Sequence, residues 1–171
     1  MVAAMKHPRV ALATLVLSAS ALVGIAVHEG YRAEAYIPVK GDRPTIGFGD
    51  AQGVQLGQKT DPVRALIRLN DQAAVFQRGM RQCIGDVPLH QHEWDAYVSL
   101  AFNVGLGKEG VADGFCWRRA GGNSTIVRRL KAFDYAGACE AILAWDKFRG
   151  KPLPGLTKRR QEEYKQCVGG S

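Results

Sequence analysis

The chain has 171 residues, with 23 Lys and Arg against 16 Asp and Glu, for a formal net charge of +7. That length fits one domain whose core does not depend on cross-links, and the charge favours a polyanionic partner such as nucleic acid, anionic lipid or acidic wall polymer. Cys83, Cys116, Cys139 and Cys167 lack CxxC spacing, and His7, His28, His90 and His92 form no ligand set with them, which argues against zinc. Neither a metal nor a cofactor is expected.

Val10 to Val27, VALATLVLSASALVGIAV, carries no charge and follows Lys6 and Arg9. As one helix it measures roughly 27 Å, enough to span a bilayer, and the preceding basic residues predict a cytoplasmic N-terminus and an exported remainder. Ala, Ser, Thr and Gly fill half of the run, so lipid holds it weakly. A releasable anchor ranks first. A cleaved signal peptide ranks second, with Gly24-Ile25-Ala26 at the cut, and a buried core helix ranks last. The predicted division is residues 1–27 as this segment and residues 28–171 as one domain.

Strand signals are confined to the opening of that domain, where turn-forming KGDRP and then PTIGFG predict a hairpin between Ile37 and Gly57. Helical signals follow. Thr60-Asp61-Pro62 starts a helix running toward Met80, and Leu89 to Asn103 forms a second, stopped by Gly105, with Trp94, Tyr97, Val98 and Ala101 on a core stripe. Asn123 or Ser124 caps a third, Tyr135 to Phe148 makes a fourth, and Thr157 to Cys167 a fifth. The sum is an α+β fold with a small hairpin lobe, a larger helical lobe, and a cleft expected between them.

Glu29, Asp42 and Thr45 have the residue types that glycosidic bond cleavage needs. One carboxyl group protonates the departing sugar oxygen, and a second polar group places water or stabilises positive charge on the sugar. Glu29 follows the apolar run, where burial favours a retained proton. Asp42 sits in a polar turn and Thr45 at a strand start. Gly47 and Gly49 let a glycan approach the backbone beside Phe48. Glu34, expected on another side of a helix, reads as a surface charge. Trp145 is assigned to the core, whereas Trp117, in a Gly-flanked basic loop, is assigned to substrate contact.

EGYRAEAY followed by PTIGFG resembles the catalytic opening of the phage-type lysozymes of glycoside hydrolase family 24. The matches continue through AYVSLAFNVG, STIVRRL, YAGACEAILAW and GLTKRRQEEYKQC in the family's order. The resemblance implies a lysozyme-like fold and muramidase activity on peptidoglycan glycan strands, with Glu29 as proton donor and Thr45 as the water-positioning threonine. The family's second acid lies six residues before that threonine, where this chain has Val39. Asp42 is the expected replacement, with Asp50 as a weaker candidate. The N-terminal run resembles the signal-arrest-release segment of one branch of phage endolysins. It implies residence in the host inner membrane with the domain outside, then release to the periplasm and repositioning of Glu29. Disulfides Cys139–Cys167 and Cys83–Cys116 are expected with it, and the enzyme is expected to act as a monomer without nucleic acid. A wall-binding module lacking catalysis is the competing function.

Overall fold

A computed structural model describes residues 8–169. They divide into two compact units. One is Ser18–Val75, and the other is formed by the residues up to Leu17 and from Phe76 onward. Lys6 and His7 lie outside the described residues.

In the Ser18–Val75 unit, helix α1 (Ala19–Glu29) starts where the Ser18 side chain accepts from the Ala21 backbone N–H at 3.2 Å. This cap satisfies a donor left over at the helix start. Ala21, Ile25 and Ala26 form its buried stripe. Gly30 closes the helix at a φ of 72°, a backbone state that suits glycine. Strand β1 (Arg32–Tyr36) pairs antiparallel with β2 (Thr45–Gly47), Arg32 opposite Gly47 and Tyr36 opposite Thr45, with a register irregularity between. The hairpin therefore begins five residues before Ile37. Glu34 lies on a strand rather than a helix, paired across a bridge with Lys59. Alternation in RAEAY carries little hydrophobic contrast, because every residue of β1 remains at least partly exposed.

Helix α2 (Pro62–Ile84) opens with Asp61 accepting from the Arg64 N–H at 2.9 Å. It begins in this unit and ends in the other. Helix α3 (Gln91–Val104) has a capping box between His90 and Glu93, ends at Gly105, and packs against α6 (Pro154–Cys167). Trp94, Tyr97, Val98 and Ala101 are fully buried on it. Ser124 caps α4 (Thr125–Lys131) by accepting from the Val127 N–H. The fourth expected helix is shorter. Helix α5 (Tyr135–Glu140) gives way to a 3₁₀ turn over Ala141–Trp145, and Lys147–Phe148 (β3) pairs with Lys151–Pro152 (β4) around Arg149 and Gly150, both at positive φ. Disulfides join Cys83 to Cys116 and Cys139 to Cys167, closing loops of 33 and 28 residues. Loops of that size are worth about 3–4 kcal/mol each in a chain-entropy account.

Val10–Val27 is not one helix here. Leu12–Thr14 form a 3₁₀ turn, Leu15 is extended, and α1 starts only after Ser18. Among the described residues no helix is long and apolar enough to cross a membrane. The break has an identifiable cause, since side chains of the unit containing Phe76 onward take the backbone groups a helix would use internally. Arg81 donates to the Leu12 and Leu15 carbonyls at 3.2 and 2.5 Å, Gln91 donates to the Val16 carbonyl at 2.7 Å, and the Leu17 N–H donates to Gln77 Oε1 at 2.9 Å. Val10 and Leu89 exchange backbone hydrogen bonds at 2.9 and 3.0 Å. Leu12, Leu15 and Leu17 are buried.

Candidate active site

Every acidic and threonine candidate falls within the Ser18–Val75 unit, and Trp117 falls in the other. Glu29 is the last residue of α1, so the apolar stripe of that helix fixes where its exposed carboxylate emerges. A Cβ built on Gly49 would stand 3.9 Å from Glu29 Oε2, which places the carboxylate over the backbone that follows β2. Gly49 has a φ of 86° and Gly47 one of 66°. At Gly47 the space is shut as well, since a Cβ there would meet the Ala65 Cβ at 2.9 Å. Phe48, between them, is half-buried with its ring 5.4 Å from that of Tyr31.

Thr45 opens β2 and is 7% exposed. Its hydroxyl donates to the Arg43 carbonyl at 3.2 Å, so the lone pairs of Oγ1 are presented as acceptors. Asp42 lies in the loop between β1 and β2, exposed, its N–H turned back to the Val39 carbonyl at 2.9 Å. Asp50 occupies a different environment. It is 7% exposed and accepts from Arg68 Nη1 at 2.6 Å, Gln72 Nε2 at 2.7 Å and the Gln52 N–H at 3.0 Å, while its backbone pairs with Ile46. These bonds engage both carboxylate oxygens and tie the end of the hairpin to α2. Arg68 and Gln72, one turn apart on α2, escaped the sequence reading. Their i, i+4 spacing is a signal only once the position of Asp50 is known.

In the other unit, Trp117 and Trp145 line one groove of about 650 Å³ with Arg118, Arg129, Asp113 and Glu140. Trp145 is half-buried there rather than in the core, because the helix expected to carry it inward tightens to a 3₁₀ turn. Among the described residues no group of three or more His, Cys, Asp and Glu side chains is arranged to hold a metal ion.

The phage lysozyme family model matches residues 26–163. The chain is 34% identical over 151 residues to an endolysin of Acyrthosiphon pisum secondary endosymbiont phage 1, covering 86% of this chain and 94% of that relative. It is 26% identical to the SAR-endolysin of Enterobacteria phage P21 over 87% and 84% of the two chains. Among solved structures, an endolysin from Escherichia coli O157:H7 phage FAHEc1 superposes with a TM-score of 0.71 at 30% identity, over 91% of this chain and 94% of that one.

Proposed function

Since the chain belongs to the phage lysozyme family, as a lysozyme-type glycosidase of phage-induced lysis, we propose that it hydrolyses the β-1,4 bond between N-acetylmuramic acid and N-acetylglucosamine. Glu29 protonates the departing glycosidic oxygen. Thr45 Oγ1 accepts a hydrogen bond from the attacking water. The Asp42 carboxylate stabilises the positive charge that develops on the sugar ring and takes the proton that the water gives up as its oxygen bonds to the sugar carbon. Gly49 keeps the backbone beside Glu29 open to a glycan, and Phe48 and Trp117 each contact substrate, whereas buried Gly47 serves the close approach of β2 to Ala65 on α2 rather than the glycan. Asp50, with its oxygens engaged, is left to hold the hairpin.

The same reading makes residues 1–27 a signal-arrest-release segment. It holds the enzyme in the host inner membrane, N-terminus inside, until it leaves for the periplasm. One observation carries this: Glu29 terminates a helix whose buried residues, Ala21, Ile25 and Ala26, all come from the apolar run. A run lying in lipid cannot also supply that stripe, so tethering withholds the acid from its partners. Cutting after Ala26 would remove the stripe together with buried Leu12, Leu15 and Leu17, which favours an uncleaved chain.

Expression of the full chain in bacteria, followed by dissipation of the membrane potential, tests both halves. Uncleaved protein should pass from membrane to soluble fraction as lysis begins, and Glu29→Gln should release equally without clearing walls. Recovery of only a shortened chain starting near Val27 would overturn the tether, and clearing by Glu29→Gln would overturn the acid.

A further inference from the structure

Arg9, immediately before the apolar run, makes the most specific contact of the N-terminal segment. Its Nη2 lies 2.7 Å from Glu93 Oε1, and its Nε lies 3.0 and 3.2 Å from the two oxygens of the same carboxylate. The guanidinium carbon sits 3.5 Å from the centre of the Tyr135 ring. Glu93 is 3% exposed whereas the Arg9 side chain keeps 32%. The fixed half of this contact belongs to the folded domain. Glu93 Oε2 accepts from the His90 N–H at 2.8 Å as part of the α3 cap, and Tyr135 is the first residue of α5.

We propose that Glu93 and Tyr135 form a guanidinium receptor whose ligand is the chain's own Arg9, and that its occupation locks the N-terminal segment onto the enzyme. The chemistry selects arginine. A planar fork matches both carboxylate oxygens while its face stacks on an aromatic ring, whereas an ammonium meets the carboxylate and the ring only as a point charge, without the paired and stacked geometry. Burial gives the contact its direction, because a carboxylate withdrawn from water is costly without a counter-charge. The capping N–H alone supplies a dipole and not a full charge. Arg9 therefore completes a site whose other parts are in place before it arrives.

The regulatory consequence rests on the tethering proposed above. In the tethered form Arg9 lies on the cytoplasmic side of the bilayer and Glu93 on the other, separated by about 30 Å of hydrocarbon. The pair forms only when the entire run, Arg9 included, has crossed. Partial extraction leaves the receptor empty, and docking opposes return to the membrane. The Val10–Leu89 backbone pairing next to Arg9 is what the lock holds closed.

The test uses the full chain purified from the soluble fraction, so it does not depend on how release occurs. Amide hydrogen exchange is followed at Val10, Leu17 and Leu89 and at core amides of α3 and α6. Arg9→Ala should speed exchange at the first three by about tenfold or more, a local opening, and leave the core amides unchanged. Arg9→Lys should recover only part of the protection. Mixed with vesicles of phosphatidylethanolamine and phosphatidylglycerol, Arg9→Ala should rebind where the parent chain stays in solution. Unchanged exchange in Arg9→Ala, full protection in Arg9→Lys, or equal acceleration at every amide would overturn the lock. Failure of the tethering reading shows separately, as absence of uncleaved chain from membranes before depolarisation.

Discussion

Glu29 and Gly49 face each other: a single added carbon on Gly49 would lie in van der Waals contact with Glu29 Oε2, at 3.9 Å. Gly49→Ala should therefore act twice. The positive φ of 86° costs an alanine about 1–2 kcal/mol, and the new methyl rests against the acid and displaces solvent or substrate from beside it. Gly53 separates the two effects, since its φ is 67° but nothing lies within 4 Å of a Cβ there. Both variants should melt earlier by similar amounts, and only Gly49→Ala should also slow wall clearing below its melting temperature. Equal clearing by the two would show that the approach to Glu29 is immaterial.

Two aspartates compete for the second acid, and their surroundings separate them. Asp42 is exposed, so Asp42→Asn should leave melting unchanged and lower the rate about hundredfold, within the usual range for a participating carboxylate. Asp50 accepts three hydrogen bonds, including the one from Arg68, and Asp50→Asn should cost about 1–3 kcal/mol. Its turnover at temperatures where it remains folded should stay near that of the parent. Thermal melts beside initial clearing rates give both readouts, and the reverse pattern would transfer the role to Asp50.

The sequence made the helical part of this fold legible wherever a local rule was decisive. The Asp61-Pro62 start of α2, the apolar stripe and Gly105 stop of α3, and the Ser124 cap of α4 all follow from spacing and capping chemistry within a few residues. What escaped depends on distant partners. Arg81, Gln77 and Gln91 decide that Leu12 to Leu17 does not join α1 in one α-helix, and they lie 60 or more residues away in the chain. Strand β1 is hard to read because the alternation in exposed RAEAY carries too little hydrophobic contrast to mark a half-buried strand. Its partners are Thr45 and Gly47 of β2 and, across the bridge to Lys59, the Gln58 carbonyl and the Thr60 N–H. Glu29 and Thr45 were readable as types of group. The tie from Asp50 to α2 was not, because a buried carboxylate and a solvated one are spelled alike.

Glu34 offers a titration whose sign is fixed. Lys59 Nζ lies 2.8 Å from its carboxylate, and this hydrogen bond, with the lysine's charge, holds the Glu34 proton affinity below that of an ordinary glutamate. A carboxylate lowered on folding adds stability above its unfolded value and loses it as pH falls through the folded one. Both groups are exposed, so the contribution to melting should be too small to resolve. Carboxyl-carbon NMR should place the Glu34 midpoint below 4.5, and Lys59→Met should move it upward. High salt should move it the same way. A midpoint indifferent to Lys59 would mean that the bridge is not populated in solution.

Buried charge in the helical unit makes the strongest stability prediction. Arg160 is fully buried and Glu163 is 2% exposed. Glu163 Oε1 accepts from Ser99 at 2.8 Å, Arg160 Nη2 at 3.0 Å and Arg159 Nε at 3.2 Å, while Arg160 Nε stands 2.8 Å from Oε2. One carboxylate thus serves two guanidiniums and joins α6 to α3. Glu163→Ala should leave adjacent like charges buried without a counter-ion, at a cost of about 3–5 kcal/mol. For a chain of this size that corresponds to a fall in melting temperature of about 10 °C or more. Arg159→Met should cost markedly less, because Arg160 still neutralises Glu163. If the two variants melted together, the carboxylate would not be the hub of this cluster, and the α3–α6 contact would rest on apolar packing alone.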